Sequence, residues 1–249
     1  MAETKKADIL GVYVDDITMA AAVDEIFDGK TRGKRISVFT PNAEMIMEAR
    51  KDPEFLQILN MGSFVVPDGA GVLLGAKILG ENIREKVAGV ELVENILAEG
   101  TPLSIYIFGG KPGIAEKAAK KIDTLYSHIT VCGTDHGYHS QDESATVLNN
   151  IISAAPDLLL VGLGVPRQEK WIASNIGSFE SIICIGCGGT IDVFSGEVKR
   201  APRFFIKMNL EWLYRLMKQP SRLGRMMRIP RFLSLCIKKR LFGTSKRSS

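Results

Sequence analysis

The sequence has no long hydrophobic run. Its longest apolar stretches, at 158–161 and 181–187, fall far short of the roughly 20 apolar residues that a membrane-crossing helix needs. The first ten residues are charged and hold no apolar segment of the kind a secretory signal requires, so a cytoplasmic chain is expected. Cysteine is scarce: Cys132, Cys184, Cys187 and Cys236 are the four in 249 residues, too few for a disulfide framework in a cytosolic chain of this size. Cys184 and Cys187 have redox or half-zinc spacing, but no second pair exists, and both fall in the apolar run SIICIGCGG, which reads as a buried strand. Histidine is scarcer still, at three, and no partnered cysteine or carboxylate cluster accompanies it, so no metal site is expected. The chain also lacks an Asp-x-Asp pair that could hold a nucleotide-bound divalent cation. A dinucleotide fingerprint is missing, and no Gly-Lys-Ser/Thr closes the glycine turn at 109–113 as a P-loop would.

What is present is an uneven distribution of charge. The net charge of +4 conceals a split. Residues 199–249 carry 15 lysines and arginines against one acid, Glu211, a net of +14; residues 1–198 carry 17 basic and 27 acidic residues, a net of −10. A basic segment of this kind points to an anionic partner, whether nucleic acid, an anionic lipid surface or a diphosphate substrate, or else to a solvated basic tail.

Before that segment, short β-branched runs alternate with helical patterns. Candidate strands are 35–39, 64–66, 104–108, 130–132, 158–163 and 182–186. Most are continuously apolar, as strands covered on both faces should be. Helices are expected at 18–28, 43–51, 53–59, 70–79, 90–99, 114–126, 143–154 and 168–176. The alternation predicts an α/β fold: a layered, Rossmann-like sheet with helices on both faces, formed by residues 1–200, plus a basic helical appendage at 201–249. In the appendage, Phe204, Met208, Trp212 and Leu216 form a helical stripe that Pro220 ends, a second segment runs over 221–227 before Pro230, and a third carries Phe232 through Lys238, Lys239 and Arg240. Basic and apolar residues interleaved in this way suit an interfacial helix, or a helix packed on the body.

Ligands in α/β sheets bind beyond the carboxyl ends of strands, and five unusual segments follow predicted strands. In the first, Thr40 and Asn42 flank Pro41; Asn42 can cap the next helix, or both can hydrogen-bond a sugar-like ligand. In the second, Asp68 stands between a strand and a helix, suited either to capping or to acting as a general base toward an alcohol. The third, with Gly109 and Gly110, can present N–H groups to a phosphate. The fourth crowds Arg167, Gln168, Glu169 and Lys170 at a helix start on the ligand-binding edge, and the fifth is the glycine-rich exit at 186–192. Without a metal, an enzyme using a sugar nucleotide would need cationic side chains against the departing diphosphate, and Arg215, Arg222, Arg225 and Arg228 are available.

Taken together, TPNAEM at 40–45, PDGAGV at 67–72, VAGVEL at 87–92, GLGVPRQEKWI at 162–172, GGTIDVFSGEVKRAP at 188–202, EWLYRL at 211–216 and PSRLGRM at 220–226 resemble the WecG/TagA/CpsF glycosyltransferase family. The resemblance spans nearly the whole chain. It implies an inverting, metal-independent transfer of a sugar, N-acetylmannosamine in the best-known members, from a UDP-sugar to undecaprenyl-diphosphate-linked N-acetylglucosamine. The pathway implied is cell-wall or surface-polysaccharide synthesis of the teichoic acid type; other members move a uronic acid or another hexose for exopolysaccharide. It implies Asp68 as base, Thr40, Asn42 and Gln168 in the sugar pocket, and Arg215, Arg222 and Arg225 closing over the site to stabilise UDP. Lys86 and Glu91 stand where the family often has arginine and aspartate; Lys86 keeps the charge and loses the bidentate fork. No cofactor is implied. The expected setting is the inner face of the cell membrane, with peripheral attachment to an anionic surface and a homo-oligomeric body. Two other classes are less well matched: a nucleotide-cofactor oxidoreductase, which the missing dinucleotide fingerprint disfavours, and a nucleic-acid-binding module, which would leave the glycine-edged body unexplained.

Overall fold

The structure, a computed structural model, describes residues 5–202, 204, 205, 208, 211–218, 224 and 227–242. It opens on a feature the apolar runs did not announce: strands β1 (Lys6–Ile9) and β2 (Val12–Asp15) pair as an antiparallel hairpin. Leu10 and Gly11 turn it at positive φ, 56° and 99°. The Asp8 carboxylate accepts the Gly11 N–H at 2.7 Å, an Asx-type contact that favours such turns.

The expected layered, Rossmann-like sheet is present, and it is parallel throughout. Strands β3 (Arg35–Phe39), β4 (Phe64–Val65), β5 (Leu103–Gly109), β6 (Ile129–Asp135), β7 (Leu158–Gly162) and β8 (Ile182–Gly186) lie in the order β4-β3-β8-β7-β5-β6, every pair parallel. Side chains alternate between two cores. Val38, Ile105, Ile107, Leu158, Leu160, Ile183 and Ile185 face one; Phe39, Phe108, Leu159, Val161, Ile182 and Cys184 face the other. Burial on both faces is why these strands read as unbroken apolar runs.

The first core is covered by α1 (Met19–Thr31), α5 (Gly89–Ala98), α6 (Ile114–Leu125) and α9 (Thr190–Ser195). The second is covered by α2 (Ala43–Ala49), α3 (Pro53–Asn60), α4 (Ala70–Leu79), α7 (Gln141–Ala154) and α8 (Arg167–Asn175), together with the hairpin. Helices α2, α3 and α7 begin on side-chain caps from Asn42, Asp52 and Ser140, each satisfying an otherwise unpaired N–H of the first turn.

Two helices of the basic segment are described: α10 (Glu211–Lys218) and α11 (Arg228–Phe242). Helix α11 packs on the body. Phe232 and Cys236 are fully buried and join the second core. Burying a ring of that size stabilises by about 1.5–3 kcal/mol. Pro230, expected to separate two segments, instead lies inside the first turn of α11, where a missing N–H costs no hydrogen bond. Among the described residues no helix is long and apolar enough to cross a membrane.

Candidate active site

The turns that follow β3, β4, β7 and β8 meet over the carboxyl ends of those strands and enclose a cavity of about 640 Å³. Thr40 and Asn42 come from the first turn, Asp68 and Gly69 from the second, Gly164 and Gln168 from the third, and Gly186 to Thr190 from the fourth. Lys86 and Gly89, before and at the start of α5, close one wall; Arg228 and Ile229 of α11 close another. The first two turns and the segment before α5 are laced by backbone hydrogen bonds. Val66 N donates to Phe39 O (2.9 Å), Asp68 N to Pro41 O (3.1 Å) and Val87 N to Pro67 O (2.8 Å). The polar side chains therefore stand on a backbone frame rather than on independent loops.

Asn42 caps α2 and also lines the cavity. Its Oδ1 accepts the Met45 N–H at 3.0 Å, capping α2, which leaves the amide nitrogen as the group it offers the cavity. Thr40 is nearly buried, at 7% exposure. Gly89 lets it stand so close to α5, because a Cβ at 89 would lie 3.1 Å from the Thr40 hydroxyl oxygen. Asp68 is half-buried on the cavity wall. The following Gly69 has φ +90° and nothing within 4 Å of where a Cβ would be, so it is the backbone angle that calls for glycine there.

Four charged or polar residues crowd the start of α8, but only one reaches the cavity, since successive helical residues point about 100° apart. Arg167 donates to Gly137 O (3.3 Å). Lys170 turns outward to Asp52 (2.9 Å) and Glu54. Glu169 points into the core, with no exposure. Gln168 lines the cavity; its Nε2 donates to Glu169 Oε1 at 2.7 Å and its Oε1 accepts the Gly188 N–H at 3.1 Å. The Gln168 amide thus ties α8 to the glycine exit of β8. Burial pushes the Glu169 carboxyl up to about 7, against the hydrogen bond from Gln168, which favours its ionised form. Glu169 Oε2 finds no hydrogen-bond partner among the described residues.

Two cations line the cavity, each held by an acid. Lys86 Nζ is 3.5 Å from Glu91 Oε2, and Glu91 Oε1 also takes Arg200 at 2.9 Å; Arg200 reaches Glu94 as well. Arg228 Nη1 is 2.9 Å from Glu48 Oε2. Arg215 lies in α10, with its side chain outside the described residues, and Arg222 and Arg225 fall outside them altogether.

Gly109 and Gly110, expected as substrate-binding residues, do not line the cavity. Gly109 lies against the β7 backbone, where a Cβ would stand 2.5 Å from Gly162 O, and Gly110 exchanges backbone hydrogen bonds with Gly162 and Gly137. Close strand packing calls for glycine at 109, and a φ of +73° with the Ile114 side chain 2.9 Å from where a Cβ would stand calls for it at 110. Cys187 lines the cavity, yet burial pushes its thiol up to about 12, which leaves no thiolate for chemistry near neutral pH. His136 and His139 stack at 4.1 Å beside β6, with Asp135 3.6 Å from His139.

Comparison with known proteins places the chain. The family model described as the glycosyl transferase WecG/TagA/CpsF family matches residues 7–246. Relatives from Staphylococcus aureus strains MW2 and NCTC 8325 / PS 47 are each 33% identical over 234 residues, covering 92% of this chain and 91% of theirs. Both carry the name N-acetylglucosaminyldiphosphoundecaprenol N-acetyl-beta-D-mannosaminyltransferase. The chain belongs to the WecG/TagA/CpsF family and is a glycosyltransferase.

Proposed function

We propose that this enzyme moves N-acetylmannosamine from a UDP-sugar to N-acetylglucosamine linked through a diphosphate to undecaprenol, with inversion and with side-chain cations in place of a metal. The observation that carries this reading is the convergence of Asp68, Thr40, Asn42 and Gln168 on one cavity at the carboxyl edge of the sheet. A carboxylate among hydroxyl and amide groups suits an alcohol that must lose its proton as it attacks. In the reaction proposed, the acceptor hydroxyl oxygen forms a bond to the anomeric carbon while that carbon's bond to the UDP oxygen breaks. The proton passes to Asp68, and the electron pair leaves with UDP. A single in-line displacement inverts the anomeric centre.

Negative charge gathers on UDP as the bond breaks. Lys86 lines the cavity, and Arg215, Arg222 and Arg225 are the further cations assigned to that charge. A preorganised donor at such a position is worth about 3 kcal/mol. The acceptor lipid stays in its bilayer, so the enzyme works at the membrane surface. Support comes from α11, where Ile237, Leu241 and Phe242 are exposed beside the exposed Arg231 and Lys238. At about 1 kcal/mol per basic residue near an anionic surface, a few such contacts suffice for reversible attachment. The relatives' name supplies the two sugars and the lipid. A screen of UDP-sugars against a short lipid-diphosphate-N-acetylglucosamine, read by mass spectrometry, tests the proposal: a product heavier by one N-acetylhexosamine, with N-acetylmannosamine the preferred donor, is expected. Transfer of a different hexose alone would move the enzyme to exopolysaccharide synthesis, and no transfer from any UDP-sugar would refute the reading.

A further inference from the structure

Beside the cavity lies a second groove, of about 250 Å³, between α2 and the start of α11. Met47 and Met227 give it apolar surface; Lys51, Arg228 and Arg231 give it three cations; Gly224 leaves backbone bare. Arg228 lines both spaces, so the groove begins where the cavity ends. Glu48 is the acid these cations share: its Oε2 is 2.9 Å from Arg228 Nη1 and 4.0 Å from Lys51 Nζ. Three cations against one carboxylate leave an excess of two positive charges. Among the described residues Arg231 has no acid within ion-pair distance, and it is exposed.

A groove lined by two methionines and three cations suits a ligand divided in the same way, a multiply charged anion joined directly to an aliphatic chain. A sugar nucleotide does not have that form, because it is polar at both ends. A polyisoprenyl diphosphate does: its phosphates match the excess charge, with Arg228 able to grip one of them through two N–H groups. Its methyl-branched chain suits methionines, whose unbranched, polarisable side chains adapt to irregular apolar shapes. We infer that this groove holds the diphosphate and the first isoprene units of the lipid-linked acceptor. Arg228 stands at the junction, with the acceptor sugar on the cavity side and the chain passing Met47 and Met227. The inference rests on the proposed acceptor and adds the place where its lipid half is held.

The test uses the full-length protein and a soluble probe, farnesyl diphosphate, with binding followed by titration calorimetry. The wild type should bind it. A Lys51→Ser/Arg231→Ser double variant should bind it at least tenfold more weakly, with UDP affinity changed less than twofold. Inorganic diphosphate and farnesyl monophosphate should each bind the wild type at least tenfold more weakly than farnesyl diphosphate. No binding by the wild type, or equal affinity in the double variant, overturns the inference. So does equal affinity for inorganic diphosphate, which would leave the two methionines without a role, or for the monophosphate, which would assign the groove to ordinary phospholipid headgroups. Failure of the wild type to transfer sugar would refute the functional reading by a separate measurement and would not alter the binding result.

Discussion

Gly75 of α4 lies directly against the ring of Phe232 of α11: a Cβ at 75 would stand 2.6 Å from two of the ring carbons. That one missing methyl group lets the last helix settle into the second core. Because α11 begins with Arg228 and Ile229 on the cavity wall, the same contact brings the basic segment to the site. The packing of α11 thus belongs to the construction of the cavity as well as to any contact with a membrane.

Phe232→Ala should cost about 3–5 kcal/mol, the range for emptying a buried aromatic site. Urea denaturation measures the loss. Hydrogen exchange should show faster exchange across Arg228–Phe242 than across β3 (Arg35–Phe39). Gly75→Leu should act in the same direction by wedging the helix away, and in both variants transfer should fall together with the protection of α11.

Truncation after residue 201 would expose the core that Phe232 and Cys236 cover, so it is a poor test of the tail arginines. Point changes are better. Arg222→Gln and Arg225→Gln should each leave the denaturation midpoint within the usual scatter and lower kcat by roughly 100-fold, the equivalent of about 3 kcal/mol. An unchanged kcat in both would remove these residues from the leaving-group role.

Asn42 separates stability from binding. Asn42→Asp keeps an oxygen to cap α2 and removes the amide N–H groups; Asn42→Ala removes both. The alanine variant should lose about 1 kcal/mol of stability, the aspartate variant only a few tenths, and both should raise KM for a sugar substrate. Denaturation curves and initial rates on the same two proteins distinguish the roles.

Glu169 gives a pH signature. Its carboxyl ordinarily titrates at 4.5 and is raised to about 7 in the fold. As pH rises past 4.5 the unfolded chain gives up this proton while the folded chain keeps it, so the contribution to stability falls until about 7 and stays low above that. The full interval corresponds to at most ~3 kcal/mol. Glu169→Gln, which mimics the protonated carboxyl and keeps an acceptor for Gln168, should match the wild type at pH 4.5 and exceed it at pH 8. Equal stability of the two proteins at pH 8 would show that the carboxylate is not penalised by burial.

Much of this is legible in the chain because β4, β7, β8 and most of β5 are apolar on both faces, which a sequence records as nearly uninterrupted runs. The hairpin Lys6–Asp15 escaped notice because each strand is four residues long; the Asp8-to-Gly11 spacing was the signal available. Helix α9 escaped for a similar reason, with six residues behind a glycine run. At the site, Thr40, Asn42, Asp68, Lys86 and Gln168 are legible from the sequence, and all five line the cavity. Gly109 and Gly110 do not, since a glycine needed for strand contact, as at 109, or for a left-handed turn, as at 110, carries the same letter as one needed for a phosphate. Glu169 looked like a fourth polar residue on the ligand edge; its inward direction depends on helical phase, which is fixed only once α8 has packed. Arg228 was offered among the tail cations, but its pairing with Glu48 across a distance of 180 positions in sequence could not be read in advance.

In the proposed reaction Asp68 takes the proton from the acceptor hydroxyl. The most direct measurement is kcat for transfer by Asp68→Asn, with UDP affinity determined on the same preparation. An unchanged affinity for UDP is expected, with a kcat lower by about 100- to 10,000-fold, the contribution of a positioned base. Turnover within a few-fold of the wild type would contradict it and leave the cavity without its base.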